Sequence, residues 1–170
     1  MPDNLTNFRG SFVTSFFGLT TTIVSLSFDH IGIVVRTLQA GREHLGSLIG
    51  ISEWTTEFRD PRIKVCVQFG RDQSGICYEL IAPFGEGSPI SNALKDRVNI
   101  LNHVAYLVSD LDAEAARLRA AGAVPTGPAQ PAVAYGGKSV QFFYTPLRFI
   151  IELIEDPDHR HTYIAEVLSS

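Results

Sequence analysis

Apolar positions recur along this chain in two alternating styles. "HIGIVV" (His30 to Val35) and "HVAYLV" (His103 to Val108) are short, β-branched and apolar at nearly every place, the pattern of buried strands over 28–35 and 101–108. Each is followed by a helical stretch. "LDAEAARLRAAGA" starts behind Asp110, a natural N-cap, and stops at Gly122. "TLQAGREHLGSLIG" is poorer in helix formers but ends on Gly50. Further strands are predicted over 63–69 and 76–82, then over 138–144 and 148–154, with shorter ones near Ser52 to Phe58 and Ala123 to Thr126.

The two series are copies of one another. At an offset of 73 residues, "DHIGIVV" falls on "NHVAYLV", "VQF" at Val67 falls on "VQF" at Val140, and "ELI" at Glu79 falls on "ELI" at Glu152, without a gap. Each Glu follows its His by the same 49 residues (30 to 79 and 103 to 152). The order is β-α-β-β-β, twice, which predicts an α+β fold. Two tandem modules (28–83 and 101–156), related by a pseudo-twofold axis, bring mixed sheets together around one concave cavity. Residues 84–100 link them with room for a short helix, and 157–170 form a polar tail. The Pro- and Gly-rich "VPTGPAQPAVAYGG" (Val124 to Gly137) reads as a loop able to cover or line the cavity.

Side chains on a strand alternate between faces. Equivalent positions about a twofold axis project toward it, so His30, Glu79, His103 and Glu152 should converge. A lone Glu in a strand is most often an edge charge and a lone His a satisfied core group. Two of each in register point instead to a metal. The set carries no thiolate and suits one divalent ion: Zn, Ni, Co, Mn or Fe. Such an ion could polarise a carbonyl, with Glu152 and Glu79 as candidate catalytic carboxylates. His44, His159 and His161 have nothing in the sequence to place them near this cluster. Gln68 and Gln141 of the paired "VQF" strings read as structural groups on the opposite face.

Composition narrows the partners. A formal net charge of -4 argues against nucleic acid, which normally needs a basic field. Cys66 and Cys77 form no CxxC pair and read as small core residues, suiting a reducing cytoplasm. The arm 1–27 contains "SFVTSFFGLTTTIVSLS", which Thr, Ser and Gly interrupt too often for a membrane span. Only Arg9 precedes it as a basic residue, too little for a signal peptide. Its Phe12, Phe16, Phe17, Ile23 and Val24 predict a homodimer with the arm buried at or beside the interface.

The paired modules resemble the vicinal oxygen chelate (glyoxalase-like) superfamily. "DHIGIVV", "ELIAPFGEGSPIS", "NHVAYLVSDLDA" and "GGKSVQFFYTP" are most similar to its methylmalonyl-CoA epimerase branch. The resemblance runs from Phe28 to about Asp156 and implies metal ligands at His30, Glu79, His103 and Glu152. At Glu79 the epimerases carry Gln and bacterial glyoxalase I enzymes carry Glu. Val65 stands where the resemblance places a catalytic Glu of the epimerases, and "YTPLRF" is shorter than the usual loop. Val65 and Val67 are expected to line the substrate pocket. Lys138, in the phase of Val65 through the repeat, is expected to contact an anionic group. The implied activity is that of an isomerase, epimerase or lyase. It would move a proton beside the carbonyl or thioester of a small substrate, possible carriers being CoA and glutathione. An Fe(II) dioxygenase and a metal-free binding or resistance protein are the alternatives.

Overall fold

In the computed structural model the described residues are 15–16, 19–20, 26–96 and 100–165. Strands β1 (Ser15–Phe16) and β2 (Leu19–Thr20) pair with each other. Leu26 and Ser27 end the predicted arm at the start of β3, while its other residues, and with them the expectation of a dimer contact, lie outside the described residues.

The first module begins with β3 (Ser27–Val34) and α1 (Leu38–Ile49). Thr37 Oγ1 accepts the Ala40 N–H at 3.2 Å, and Gly50 ends α1 in the left-handed region at φ 73°. Its weak helix formers include Gly41, and packing explains why. A Cβ there would come within 2.8 Å of Leu80 Cδ1, so glycine lets the helix lie close on the sheet. The chain continues through β4 (Glu53–Trp54), β5 (Phe58–Asp60), β6 (Val65–Arg71) and β7 (Cys77–Pro83). A short α2 (Ser91–Asp96) occupies the linker.

The second module repeats the plan with β8 (Leu101–Leu107), α3 (Leu111–Ala120), β9 (Val124–Pro125), β10 (Gln130–Pro131), β11 (Ser139–Tyr144) and β12 (Ile150–Ile154). Asp110 caps α3 by accepting from Ala113 N–H at 2.9 Å. A 3-10 turn at Val133–Tyr135 precedes β11, and β13 (Ile164–Ala165) follows the module.

The strand order is β10-β11-β12-β8-β3-β7-β6-β4-β13. It reads almost the same from both ends, with β3 and β8 antiparallel at the seam and β7 and β12 parallel to them on either side. This is the mixed α+β architecture that the repeat predicts. The single short strand expected near Ser52 to Phe58 is split into β4 and β5. At the break, Thr55 Oγ1 accepts the Phe69 N–H at 3.1 Å, and Gln68 Nε2 donates to the Thr55 carbonyl at 2.7 Å. Gln141 does the same in the second module, donating to the Gly127 carbonyl at 2.9 Å. The paired glutamines therefore satisfy backbone where each outer strand is interrupted. Cys77 is buried in the core with Phe69, Leu107 and Ile154, and burial pushes its thiol up to about 11. No helix among the described residues is long and apolar enough to cross a membrane.

Candidate metal centre

Four strands around the seam each supply one side chain: His30 from β3, Glu79 from β7, His103 from β8 and Glu152 from β12. All four are buried. The pairing of β3 with β8 is irregular on both sides of the Ile31–Gly32 pairs, and a bulge of this kind re-aims side chains. Gly32 lies opposite His103, and a Cβ on it would fall 2.5 Å from Nε2 of that ring. Only glycine leaves the His103 ring its place over the strand.

The two Nε2 atoms are 2.9 Å apart. Glu79 Oε2 lies 3.4 Å from His30 Nε2 and 3.3 Å from His103 Nε2. Glu152 Oε2 lies 3.4 Å and 3.1 Å from the same two atoms. Nitrogen and oxygen ligands at about 2.0–2.2 Å from one ion are about 2.9–3.4 Å from their neighbours in octahedral or tetrahedral arrangements. All five distances fall in that range. Tautomers agree. His30 Nδ1 is 2.8 Å from Asp29 Oδ2, and His103 Nδ1 is 3.0 Å from Asn102 Oδ1. Each oxygen accepts an Nδ1–H, which leaves both Nε2 lone pairs facing two carboxylate oxygens. Four acceptors meeting in a buried space need a cation, so the donor set fits a divalent metal.

Without a metal, protons take that role. Burial opposes charge on His30, but the charge of Glu79 and the hydrogen bonds to Asp29, Glu152 and Glu79 raise it well above 6.5. His103 is raised against burial by its hydrogen bonds to Glu152 and Glu79. Burial also opposes ionisation of Glu79, but His30 and His103 hold it down at about 2. Behind the cluster, burial again works against Asp29. Hydrogen bonds from His161 and His30 outweigh it and keep this carboxylate well below its ordinary range. Tyr135 is pushed far up by burial and by the charge of Asp29, so its hydroxyl stays a donor.

The cluster opens on a cavity of about 310 Å³. Glu79, His103 and Glu152 reach its wall, with apolar surface from Val65, Val67, Ile81, Val140 and Phe142. The Pro- and Gly-rich loop contributes Thr126 and the stretch from Gln130 to Tyr135. Lys138, expected beside Val65, is exposed and outside that lining. Gly136 and Gly137 turn the chain at φ 62° and 87°, and Lys138 closes the turn by donating its N–H to the Tyr135 carbonyl at 3.1 Å before β11 starts.

Two residues absent from the expected site stand in it or behind it. Asp60 ends β5 and lines the cavity, buried, five residues ahead of Val65. Arg62 holds it through its Nη2 at 2.8 Å and its backbone N–H at 2.9 Å, which keeps Asp60 ionised below its ordinary pKa. The same Arg62 Nη2 donates at 2.8 Å to the carbonyl of Pro131 in the other module. The sequence signal was "FRD" alternating into the cavity just before a Pro. His161 is the other residue. Contrary to the expectation for the tail, its Nε2 is 3.1 Å from Asp29 Oδ2. No local pattern marked it.

The profile of the Glyoxalase/Bleomycin resistance protein/Dioxygenase superfamily matches residues 29–144. This chain belongs to that superfamily. It is 33% identical over 121 residues to an ethylmalonyl-CoA/methylmalonyl-CoA epimerase of Cereibacter sphaeroides, covering 68% of this chain and 86% of the relative. The methylmalonyl-CoA epimerase structure from Mycobacterium tuberculosis superposes with a TM-score of 0.64 at 27% identity, covering 80% of this chain and 91% of that one. A Streptomyces coelicolor methylmalonyl-CoA epimerase variant in complex with 2-nitronate-propionyl-CoA shares the fold, with a TM-score of 0.61 at 24% identity over 76% of this chain and 94% of that one.

Proposed function

We propose that this protein is a metal-dependent epimerase that moves the proton beside the thioester carbonyl of a short branched acyl-CoA. The observation that carries the reading is the His2Glu2 quartet opening on an apolar cavity that is also lined by the carboxylate of Asp60, from another strand. The relative from Cereibacter sphaeroides, named for ethylmalonyl-CoA and methylmalonyl-CoA, supports this substrate class.

His30, Glu79, His103 and Glu152 would hold the ion, and a mixed N/O set of this kind suits Zn, Ni, Co, Mn or Fe. When bound, a divalent ion there supplies Lewis-acid polarisation of a substrate oxygen. The rest falls to the chain. Val65, Val67 and Phe142 exclude water from the acyl group. Asp60, kept ionised by Arg62, takes the Cα proton. Inversion also needs a proton carried to the opposite face of Cα, and Glu152, a carboxylate of the other module on the cavity wall, would be its carrier.

The test is deuterium exchange. Metal-loaded protein with methylmalonyl-CoA in D2O should incorporate solvent deuterium at Cα, followed by NMR. Asp60→Asn should lose exchange by about 10²–10⁴-fold, the usual contribution of a general base, with metal content unchanged. No exchange by the loaded wild-type protein, or oxygen uptake by its Fe(II) form, would sink this reading.

A further inference from the structure

The support behind His30 is completed by a segment from the far end of the chain. Asp29 Oδ2 lies 2.8 Å from His30 Nδ1, 2.6 Å from the Tyr135 hydroxyl and 3.1 Å from His161 Nε2. Side-chain exposure is 5% for Asp29 and 7% for His161, so water contributes little to this network. The chain reaches the spot by leaving β12 in the second module and crossing the sheet of the first. It is fastened along the way. The His161 ring stacks on Phe69 with centres 4.1 Å apart, Arg71 lies 4.7 Å over the Tyr163 ring, and β13 pairs with β4. Phe69 in turn meets His30 edge-on at 5.2 Å.

A segment that only covered the sheet would be better served by an apolar ring at position 161. Burying an imidazole N–H is costly unless it finds an acceptor, and the acceptor found is the carboxylate that orients His30. We propose that the C-terminal segment is a working part of the metal centre, with His161 as a positioning residue. Its Nε2–H and the Tyr135 hydroxyl together hold Asp29 where it clamps Nδ1 of His30 and leaves Nε2 free to bind the ion. The inference rests on the quartet being a metal centre. Coupling between sites is reciprocal, so a bound ion also holds the segment down.

Partners of a ligating His typically account for about 10–100-fold in metal affinity. His161 acts one hydrogen bond further out, which puts its effect near the lower end. The experiment titrates Co2+ alone into the full chain against a competing chelator. It compares His161→Phe, which keeps a ring to stack on Phe69 but has no N–H, with His161→Gln, which keeps an N–H but no ring. Expected are about a tenfold loss of Co2+ affinity and altered visible absorption bands for His161→Phe, with His161→Gln within about twofold of wild type. Equal affinity in all three proteins overturns the proposal. So does a loss that is as large or larger in His161→Gln, since affinity would then follow the stack. If His161→Phe does not fold, hydrogen exchange of the wild-type amides at 159–163 decides. Slower exchange with Co2+ supports the coupling and unchanged exchange overturns it. A wild-type chain that takes up no Co2+, Zn2+ or Ni2+ removes the metal-centre reading itself, and this inference with it.

Discussion

His30 and His103 hold the same place in two copies of one supersecondary unit, yet their surroundings differ. Asp29, an anion, backs His30 and is itself held by Tyr135 and His161. Asn102, a neutral amide, backs His103. His103 lies over Gly32, whereas the residue in the corresponding place of the repeat is Ala105. The outer strands differ too, since the first module sends Asp60 to the cavity and the second sends a loop ending in Tyr135. The shared plan delivers the two imidazoles, and the departures from it give each its own partners. A neighbouring carboxylate makes an imidazole a stronger donor than an amide does. The two histidines are therefore equivalent in position but not in basicity.

The comparison breaks most completely if a ligand is removed. His30→Ala and His103→Ala should each cost metal affinity more than the roughly 10–100-fold expected for losing an outer partner, read as metal retained after dialysis. A chain that keeps its metal in either variant would show that the histidines do not share one ion. Next in size is Gly32→Ala. Its methyl must displace the His103 ring, so stability should fall by about 1–3 kcal/mol in urea unfolding, and the metal should be lost with it. Ala105→Gly, the mirror change, should leave the metal in place.

Exchanging the backing groups sharpens the contrast. Asp29→Asn should weaken metal binding about 10–100-fold, while Asn102→Asp should leave it equal or tighter. Equal losses in both would mean that the two supports matter alike. The smallest effect concerns pH in the chelator-treated chain. Glu79 is lowered from 4.5 to about 2, so its contribution is present above 4.5 and is lost as pH falls through 2. His30 is raised above 6.5, so its contribution is present below 6.5 and is lost as pH rises through the folded value. Urea midpoints should therefore be highest between about pH 4.5 and 6.5 without metal. Added metal should stabilise more above that window, where protons no longer compete for Nε2.

The repeat made the fold legible. A gapless match of His, Glu and "VQF" positions predicts two modules, and alternation along strands predicts that the two His and two Glu side chains share a face. The caps at Asp110 and Gly50 are equally local, because they depend on a few neighbouring backbone groups. Lys138 shows where register alone misleads. The repeat places it with Val65, but two glycines with positive φ turn the chain before β11 and leave the lysine in solvent.

What the sequence by itself determined was the main strands and helices, their duplication and the four side chains that converge, since these follow from its periodicity and its repeat. Only the tertiary structure decided what stands behind and across from those side chains. Asp60 faces the cavity because β5 pairs with β6 at Val65, and Arg62 spans to the other module. His161 meets Asp29 across 132 residues because the tail leaves the second module's half of the sheet and pairs at the edge of the first module's half. Contacts of that separation leave no period in a sequence. They arise from the path of the chain once the core has closed, and here that path sets the electrostatics of the site.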